Sequence, residues 1–181
     1  MTNEELSLDL LEGIMTTRAM RRYTDEPETD DEIRTCLRAA VQAPSGGNIQ
    51  PYQYLVVRDP EHQAHLGEAP ALVLVLMPDI EMTATDNEGE MDVGPIYASV
   101  YPAVQNFVLA ARGQGVGTVI TTFYRIHEDE VRDLCGIPHR YLVVALLPLG
   151  RPRGSFGVAP RARTAEELTS WDRWGERRLP D

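Results

Sequence analysis

The sequence predicts one α+β domain, residues 1–181, folded around a central sheet. Three observations lead there. The runs Ala71–Met77 and Tyr141–Leu147 are short and continuously apolar, as strands covered on both faces are. Apolar residues recur at helical spacing over 29–41 and 94–113, which supplies helices to cover that sheet. No internal repeat or linker divides the 181 residues, a length sufficient to bury a core.

Each element has its own signal. Leu6, Leu8, Leu10, Leu11, Ile14 and Met15 predict a short helix within 4–15. Thr29-Asp30-Asp31-Glu32 reads as a capping box, in which hydroxyl and carboxylate satisfy each other's backbone N–H at a helix start. Ile33, Leu37, Ala40 and Val41 continue the apolar face until Pro44 ends it. Gln53 to Val57 follows as a strand, then the run at 71–77. In the helix over 94–113, Pro95 suits the first turn. Pro102 lacks the N–H that the helix needs and predicts a kink or break. Gly113-Gln114-Gly115-Val116-Gly117 stops that helix, and Thr118 to Thr122 is the next strand. His127 to Leu134 is a short helix closed by Gly136, with Pro138 beyond it. The strand at 141–147 leads into an arginine-rich tail.

Composition narrows the function. A hydrophobic content of 43% with 25% charged residues is that of an ordinary globular protein. The net charge of −11 argues against a nucleic-acid partner. No stretch approaches the roughly 20 apolar residues of a membrane span, and Met1-Thr2-Asn3-Glu4-Glu5 does not open a signal peptide. Cys36 and Cys135 sit on apolar helical faces and read as buried thiols. A reduced, cytoplasmic compartment without a membrane partner is the expectation. All 17 basic residues are arginine, so lysine Schiff-base chemistry is excluded and any side-chain cation holding an anion keeps its charge at working pH.

Two basic clusters stand far apart, Arg18-Ala19-Met20-Arg21-Arg22 and Arg161-Ala162-Arg163. A solvated patch would explain either alone; two clusters in an acidic chain make sense around one phosphate. Between them, Pro44-Ser45-Gly46-Gly47-Asn48-Ile49-Gln50 combines a helix stop, two glycines and small polar side chains. Such a segment lies close against a flat ligand, with Asn48 and Gln50 available to its carbonyls and ring nitrogens. The glycines at 113–117 follow a helix and precede a strand, the reverse of a dinucleotide fingerprint, and read as a turn. His62 and His65 have no carboxylates or thiols to complete a metal site, and none is expected. The acidic run from Asp79 to Asp92 reads as a solvated loop, with a mobile cover over a pocket as the functional alternative. The wide apolar arc of the 94–113 helix serves equally as core or as a dimer interface.

Taken in order, Thr17–Tyr23, Ala43–Pro51, Pro102–Asn106, Gly115–Thr118, Leu147–Gly150 and Trp171–Trp174 resemble the nitroreductase-like family of FMN-dependent oxidoreductases. The resemblance implies an α/β sandwich with a mixed, mainly antiparallel sheet flanked by helices, assembled as an intertwined homodimer with FMN at the shared sites. It implies that Arg18, Ala19, Met20 and Arg21 form the basic motif near the flavin phosphate and pyrimidine edge, with Arg22 competing with Arg21 for the ring. Pro44, Ser45, Gly46 and Asn48 would line the ring from the neighbouring subunit, Arg161 and Arg163 would meet the phosphate, and Thr121 and Thr122 would approach the isoalloxazine. The implied reaction is ping-pong hydride transfer through flavin N5, from NADH or NADPH to a flat acceptor such as a nitroaromatic or quinone. A flavin-sequestering or regulatory protein and a flavin-cleaving or dehalogenating enzyme are the alternatives. Two departures stand out: a short 58–70 segment where many relatives carry a longer helical insertion, and the acidic 79–92 stretch.

Overall fold

The structure is a computed structural model that describes residues 8–67, 69–80, 82–86, 89–94 and 97–177. Its helices are α1 (Leu10–Thr16), α2 (Asp30–Ala40), α3 (Pro60–Leu66), α4 (Tyr97–Gly113), α5 (Glu128–Cys135) and α6 (Ala165–Leu168). Its strands are β1 (Gln53–Val57), β2 (Ala71–Pro78), β3 (Met82–Asp86), β4 (Gly89–Gly94), β5 (Gly117–Thr118) and β6 (Tyr141–Gly150). Four strands form the main sheet in the order β1-β2-β6-β5, and every pair in it is antiparallel.

Why β2 and β6 are apolar throughout is plain from the side-chain alternation. Val73, Val75 and Met77 face one core with Val100, Val104 and Phe107 of α4 and Cys36 and Ala40 of α2. Leu72, Leu74 and Leu76 face the second core with Val57, Met20, Tyr23 and Val131 of α5. A register shift between Val75 and Leu76 places Ala145 and Val143 opposite them, so Val144 is the extra residue of a bulge. Val144 and Ala145 therefore both pack on the α4 face.

The capping box forms as read: Glu32 N donates to Thr29 Oγ1 at 3.2 Å, and Thr29 N donates to Glu32 Oε2 at 2.7 Å. α1 begins at Leu10 rather than at 4, because Asp9 caps it by accepting from the N–H groups of Leu11 and Glu12. Leu6, Pro95 and Ile96 lie outside the described residues.

Three expectations are corrected. α4 runs through Pro102 without a break; the carbonyl that loses its donor, four residues back, belongs to Ala98, an exposed residue where solvent is accessible. β5 is only two residues long, with Thr121 rejoining β6 by a single bridge to Leu146. The short 58–70 segment, for which no element is expected, contains a helix, α3, with Pro60 at its first turn and Asp59 as its cap. The acidic 79–92 run is largely a β-hairpin, β3 paired with β4. Its Thr-rich first arm has strand propensity, which the charge count concealed.

Glu28, in the connection before α2, is 1% exposed, and its Oε2 has no partner among the described residues. Burial pushes its carboxyl above the ordinary 4.5, against the lowering effects of its own backbone hydrogen bond and of Arg58, whose Nη2 is 3.5 Å from Oε1. A raised folded-state pKa means stability fully present below the unfolded value and lost as pH rises through the folded one. Glu28→Gln is therefore expected to gain stability relative to wild type as pH rises above the ordinary carboxylate value, measured by urea unfolding at a series of pH values. A difference constant over that series would refute the assignment.

Candidate functional site

The segment leaving α1 pairs first with β5 and then with the chain leaving β6. Met20 N–H donates to Thr118 O (2.9 Å), Thr24 N–H to Arg151 O (2.8 Å) and Arg153 N–H to Arg22 O (3.0 Å). Two glycines permit this close approach. A Cβ on Gly150 would lie 2.8 Å from Tyr23 Cβ, and one on Gly117 would lie 3.0 Å from Met20 Cβ. Met20 and Tyr23 are buried here, which leaves Arg18, Ala19, Arg21 and Arg22 exposed. Farther along, Arg18 Nη2 donates to Ser155 O (2.9 Å) and Gly157 N–H to Thr16 O (3.3 Å). Arg112 at the end of α4 stacks its guanidinium 4.2 Å from the Phe156 ring and donates to Thr16 Oγ1 at 3.0 Å. Thus the two basic clusters are drawn together by backbone pairing between the chain's two ends.

Three clefts open around this wall. The first, about 540 Å³, is lined by Arg18, Ala19, Arg21 and Arg161 over apolar Ile14, Val108, Val119 and Ile120, with Gln105 of α4. A second, about 460 Å³, takes in Arg21, Thr121, Thr122 and Arg125. The third, about 340 Å³, has Arg21, Tyr23, Val119, Thr121 and Leu146 in its lining. Each is within the size range of small-molecule sites. Arg21 borders all three and Arg22 none of them, so Arg21 is the arginine that faces this surface. Met20 is a core side chain, and Arg163 is exposed and donates to Glu167 O (2.9 Å) at the end of α6.

The loop at 44–50 lies elsewhere in the protomer. Its Gly46 N–H donates to Ser99 Oγ (3.1 Å) near the start of α4, whereas Val108 borders the arginine cleft. At 1.5 Å per residue Ser99 is about 9 Å along the helix from Gln105 and about 14 Å from Val108, the α4 residues of that cleft. Gly47, Asn48 and Gln50 have φ of 55°, 55° and 47°, a left-handed run that asparagine and glycine tolerate and glutamine seldom adopts. The N–H groups of Asn48, Ile49 and Gln50 are satisfied within the loop, and the Gln50 amide donates to Val41 O (3.3 Å). Pro44, Gly46 and Asn48 are exposed and Ser45 is half-buried, so the loop presents a small polar surface to a neighbour or ligand.

Some arginines are neutralised by carboxylates and others are left without one. Arg34, Arg58, Arg112, Arg132, Arg151 and Arg153 each lie within 4.0 Å of a carboxylate. Arg18, Arg21, Arg125 and Arg161, the four arginines of the three clefts, form no ion pair among the described residues. Permanent cations over an apolar floor suit a flat ligand carrying a phosphate. Arg125 and Gln105 escaped the sequence reading; the one available signal was that Arg125 follows Thr121 and Thr122 closely.

A model of the nitroreductase family matches residues 14–75 and 60–151. The chain belongs to the nitroreductase family. A protein of Archaeoglobus fulgidus classed as an NADH dehydrogenase/NAD(P)H nitroreductase is 33% identical over 150 residues, covering 80% of this chain and 86% of that one. The NADPH-flavin oxidoreductase of Vibrio harveyi is 28% identical, over 83% of this chain and 69% of the relative. Among solved structures, a Desulfovibrio desulfuricans protein classed as a nitroreductase, in complex with FMN, has a TM-score of 0.74 at 29% identity and covers 94% of this chain and 97% of its own. Among the described residues no cluster of His, Cys, Asp or Glu could hold a metal ion, and no helix is long and apolar enough to cross a membrane.

In this nitroreductase-family chain the Tyr23 hydroxyl ties the arginine segment to the sheet. It faces the carbonyls of Met20 (2.6 Å) and Pro148 (3.2 Å), and burial pushes its pKa above the ordinary 10.0, which keeps it a donor. Tyr23→Phe strands those carbonyls and is expected to cost about 1–2 kcal/mol in chemical unfolding. An unchanged unfolding midpoint would show that the hydroxyl contributes nothing to the seam.

Proposed function

We infer that this member of the nitroreductase family is an FMN-dependent oxidoreductase using NADH or NADPH, with a nitroaromatic, quinone or similar flat compound as acceptor. The observation that carries the reading is the convergence of Arg18, Arg21 and Arg161, without counter-ions among the described residues, on one apolar-floored cleft. Arg18 and Arg161 are the cations for the phosphate. Arg21 lies where the clefts meet and supplies a fixed positive charge to the pyrimidine edge of the ring. In a chain without lysine that charge does not titrate away. When bound, FMN supplies hydride transfer at N5 in a ping-pong cycle, the donor leaving before the acceptor enters. Thr121 and Thr122 border the cleft on the side of the ring, and Val119 and Ile120 give it an apolar floor. No protein nucleophile is required; the side chains bind, orient and hold charge.

The remaining wall comes from a second copy of the chain. Pro44, Ser45, Gly46 and Asn48 border none of the three clefts of their own protomer, so their assignment to the ring requires a homodimer with shared sites. Leu10, Leu11, Ile14 and Met15 of α1 are all exposed, as are Val158 and Trp171, and Trp174 is 98% exposed. Apolar surface of that extent on both ends of the chain supports burial against a partner. Light scattering at micromolar concentration is expected to give a dimer; a monomer would remove the shared-site arrangement.

The decisive experiment is a visible absorbance titration of the purified protein with FMN, followed by anaerobic NADH or NADPH. Flavin absorbance is expected to bleach with a donor and return with quinone. Arg18→Ala and Arg161→Ala are each expected to weaken FMN binding about tenfold or more without lowering the unfolding midpoint. A bound flavin that stays yellow with both donors would favour a sequestering or regulatory protein. Wild-type FMN affinity in both variants would overturn the phosphate assignment.

A further inference from the structure

The cleft that Arg21 shares with Arg125 holds a cation that the cofactor assignment leaves unused. Arg125 sits in the short 3₁₀ turn Phe123–His127, one turn before α5, and its guanidinium has no hydrogen bond or ion pair among the described residues. Two of the three nearest carboxylates along the chain are committed elsewhere, and the third, Asp129, forms no ion pair with Arg125. Glu128 accepts from Arg132 Nη2 at 2.7 Å, and Glu130 lies 3.3 Å from His127 Nδ1. An acidic chain thus carries an exposed, unneutralised arginine within a few residues of three acidic side chains.

Its neighbours in the same cleft are unusual for a solvated surface. Ile126 is 73% exposed and Ile120 is 42% exposed, and both line the cleft beside Arg125. Two exposed branched apolar side chains next to a free guanidinium form a surface matched to a flat apolar ring that bears a negative charge. The ring removes the isoleucines from water, and the charge takes a charge-assisted hydrogen bond from Arg125. Thr121 and Thr122 connect this patch to the part of the cleft bordered by Arg21.

We propose that Arg125 is a specificity-determining residue that selects acceptors carrying a carboxylate or sulfonate beside a flat ring. The proposal rests on the oxidoreductase reading above and adds the charge of the acceptor to it. Arg21 and Arg125 divide the cleft between them: Arg21 borders all three clefts and Arg125 this one alone. The acceptor's anionic group therefore sits toward the Arg125 end, with its ring against Ile126.

The test uses the FMN-loaded protein with naphthoquinone and naphthoquinone sulfonate as acceptors and NADH as donor. The readout is the ratio of kcat/KM for the sulfonate to that for the neutral quinone. Arg125→Gln is expected to lower that ratio about tenfold or more, and Arg125→Lys, which keeps the charge but not the fork, to lower it less. Calorimetric binding of naphthoate and naphthol, which are not reduced, supplies a readout independent of turnover. The wild-type preference for naphthoate is expected to disappear in Arg125→Gln. An unchanged acceptor ratio together with unchanged naphthoate binding overturns the proposal. A changed NADPH-to-NADH preference with an unchanged acceptor ratio also overturns it, because the charge Arg125 reads would then be the donor's extra phosphate. Failure to reduce either quinone sinks the oxidoreductase reading, and the naphthoate arm then decides Arg125 by itself.

Discussion

Two segments about 130 residues apart are joined edge to edge where Thr24 N–H meets Arg151 O at 2.8 Å and Arg153 N–H meets Arg22 O at 3.0 Å. The position of the arginine wall follows from that seam. It satisfies backbone groups that would otherwise be stranded beside the sheet; it requires glycine at position 150, where a Cβ would strike Tyr23, and leaves little room at 117, where one would crowd Met20. Burying Met20 and Tyr23 in the core beneath α5 turns the arginines between and beside them outward. The Arg112 clasp on Phe156 and Thr16 then holds the outgoing arm against α1, so Arg161 reaches the same cleft as Arg18.

Gathering like charges on one wall is unfavourable in the empty protomer and favourable once an anion lies among them. The chain has ample acidic residues to neutralise these arginines, and it uses such pairs freely elsewhere: Arg151 with Glu32 at 2.6 Å and Arg132 with Glu128 at 2.7 Å. Arg18, Arg21, Arg125 and Arg161 have no carboxylate partner among the described residues, nor do Arg22, Arg38, Arg140 and Arg163; what distinguishes the four is that they border the clefts. Because all four are arginine, the wall's charge is constant over any working pH. The polar loop at 44–50 is strained by the left-handed Gln50 and satisfies its own N–H groups, so it is pre-shaped before any partner meets it.

Much of the fold was legible because its signals are local. The threonine and glutamate of the capping box lie within one turn of each other, and the two apolar runs declare their double burial by having no polar face. Errors came where a local rule met an unseen surrounding. Pro102 is tolerated because its unpaired carbonyl is on an exposed residue, and the acidic stretch forms a hairpin because strand pairing outweighs charge count. Thr118 to Thr122 shrinks to a two-residue strand and a bridge, since only part of that run finds partners on β6.

For the site, the sequence by itself determined the chemical kind of the groups: two arginine clusters, no lysine, and a small polar loop able to lie against a ring. These follow from residue identity, which folding does not alter. Only the tertiary structure decided which of them meet. It turned Arg21 rather than Arg22 to the clefts, took Met20 into the core, set Arg163 against α6 and brought Arg125 beside Arg21. It also held the 44–50 loop at the Ser99 end of α4, about 9 Å or more along the helix from the α4 residues that border the arginine cleft. Side-chain direction depends on which backbone edge a segment pairs with, and that pairing is made between residues too far apart in the chain for any local pattern to record it.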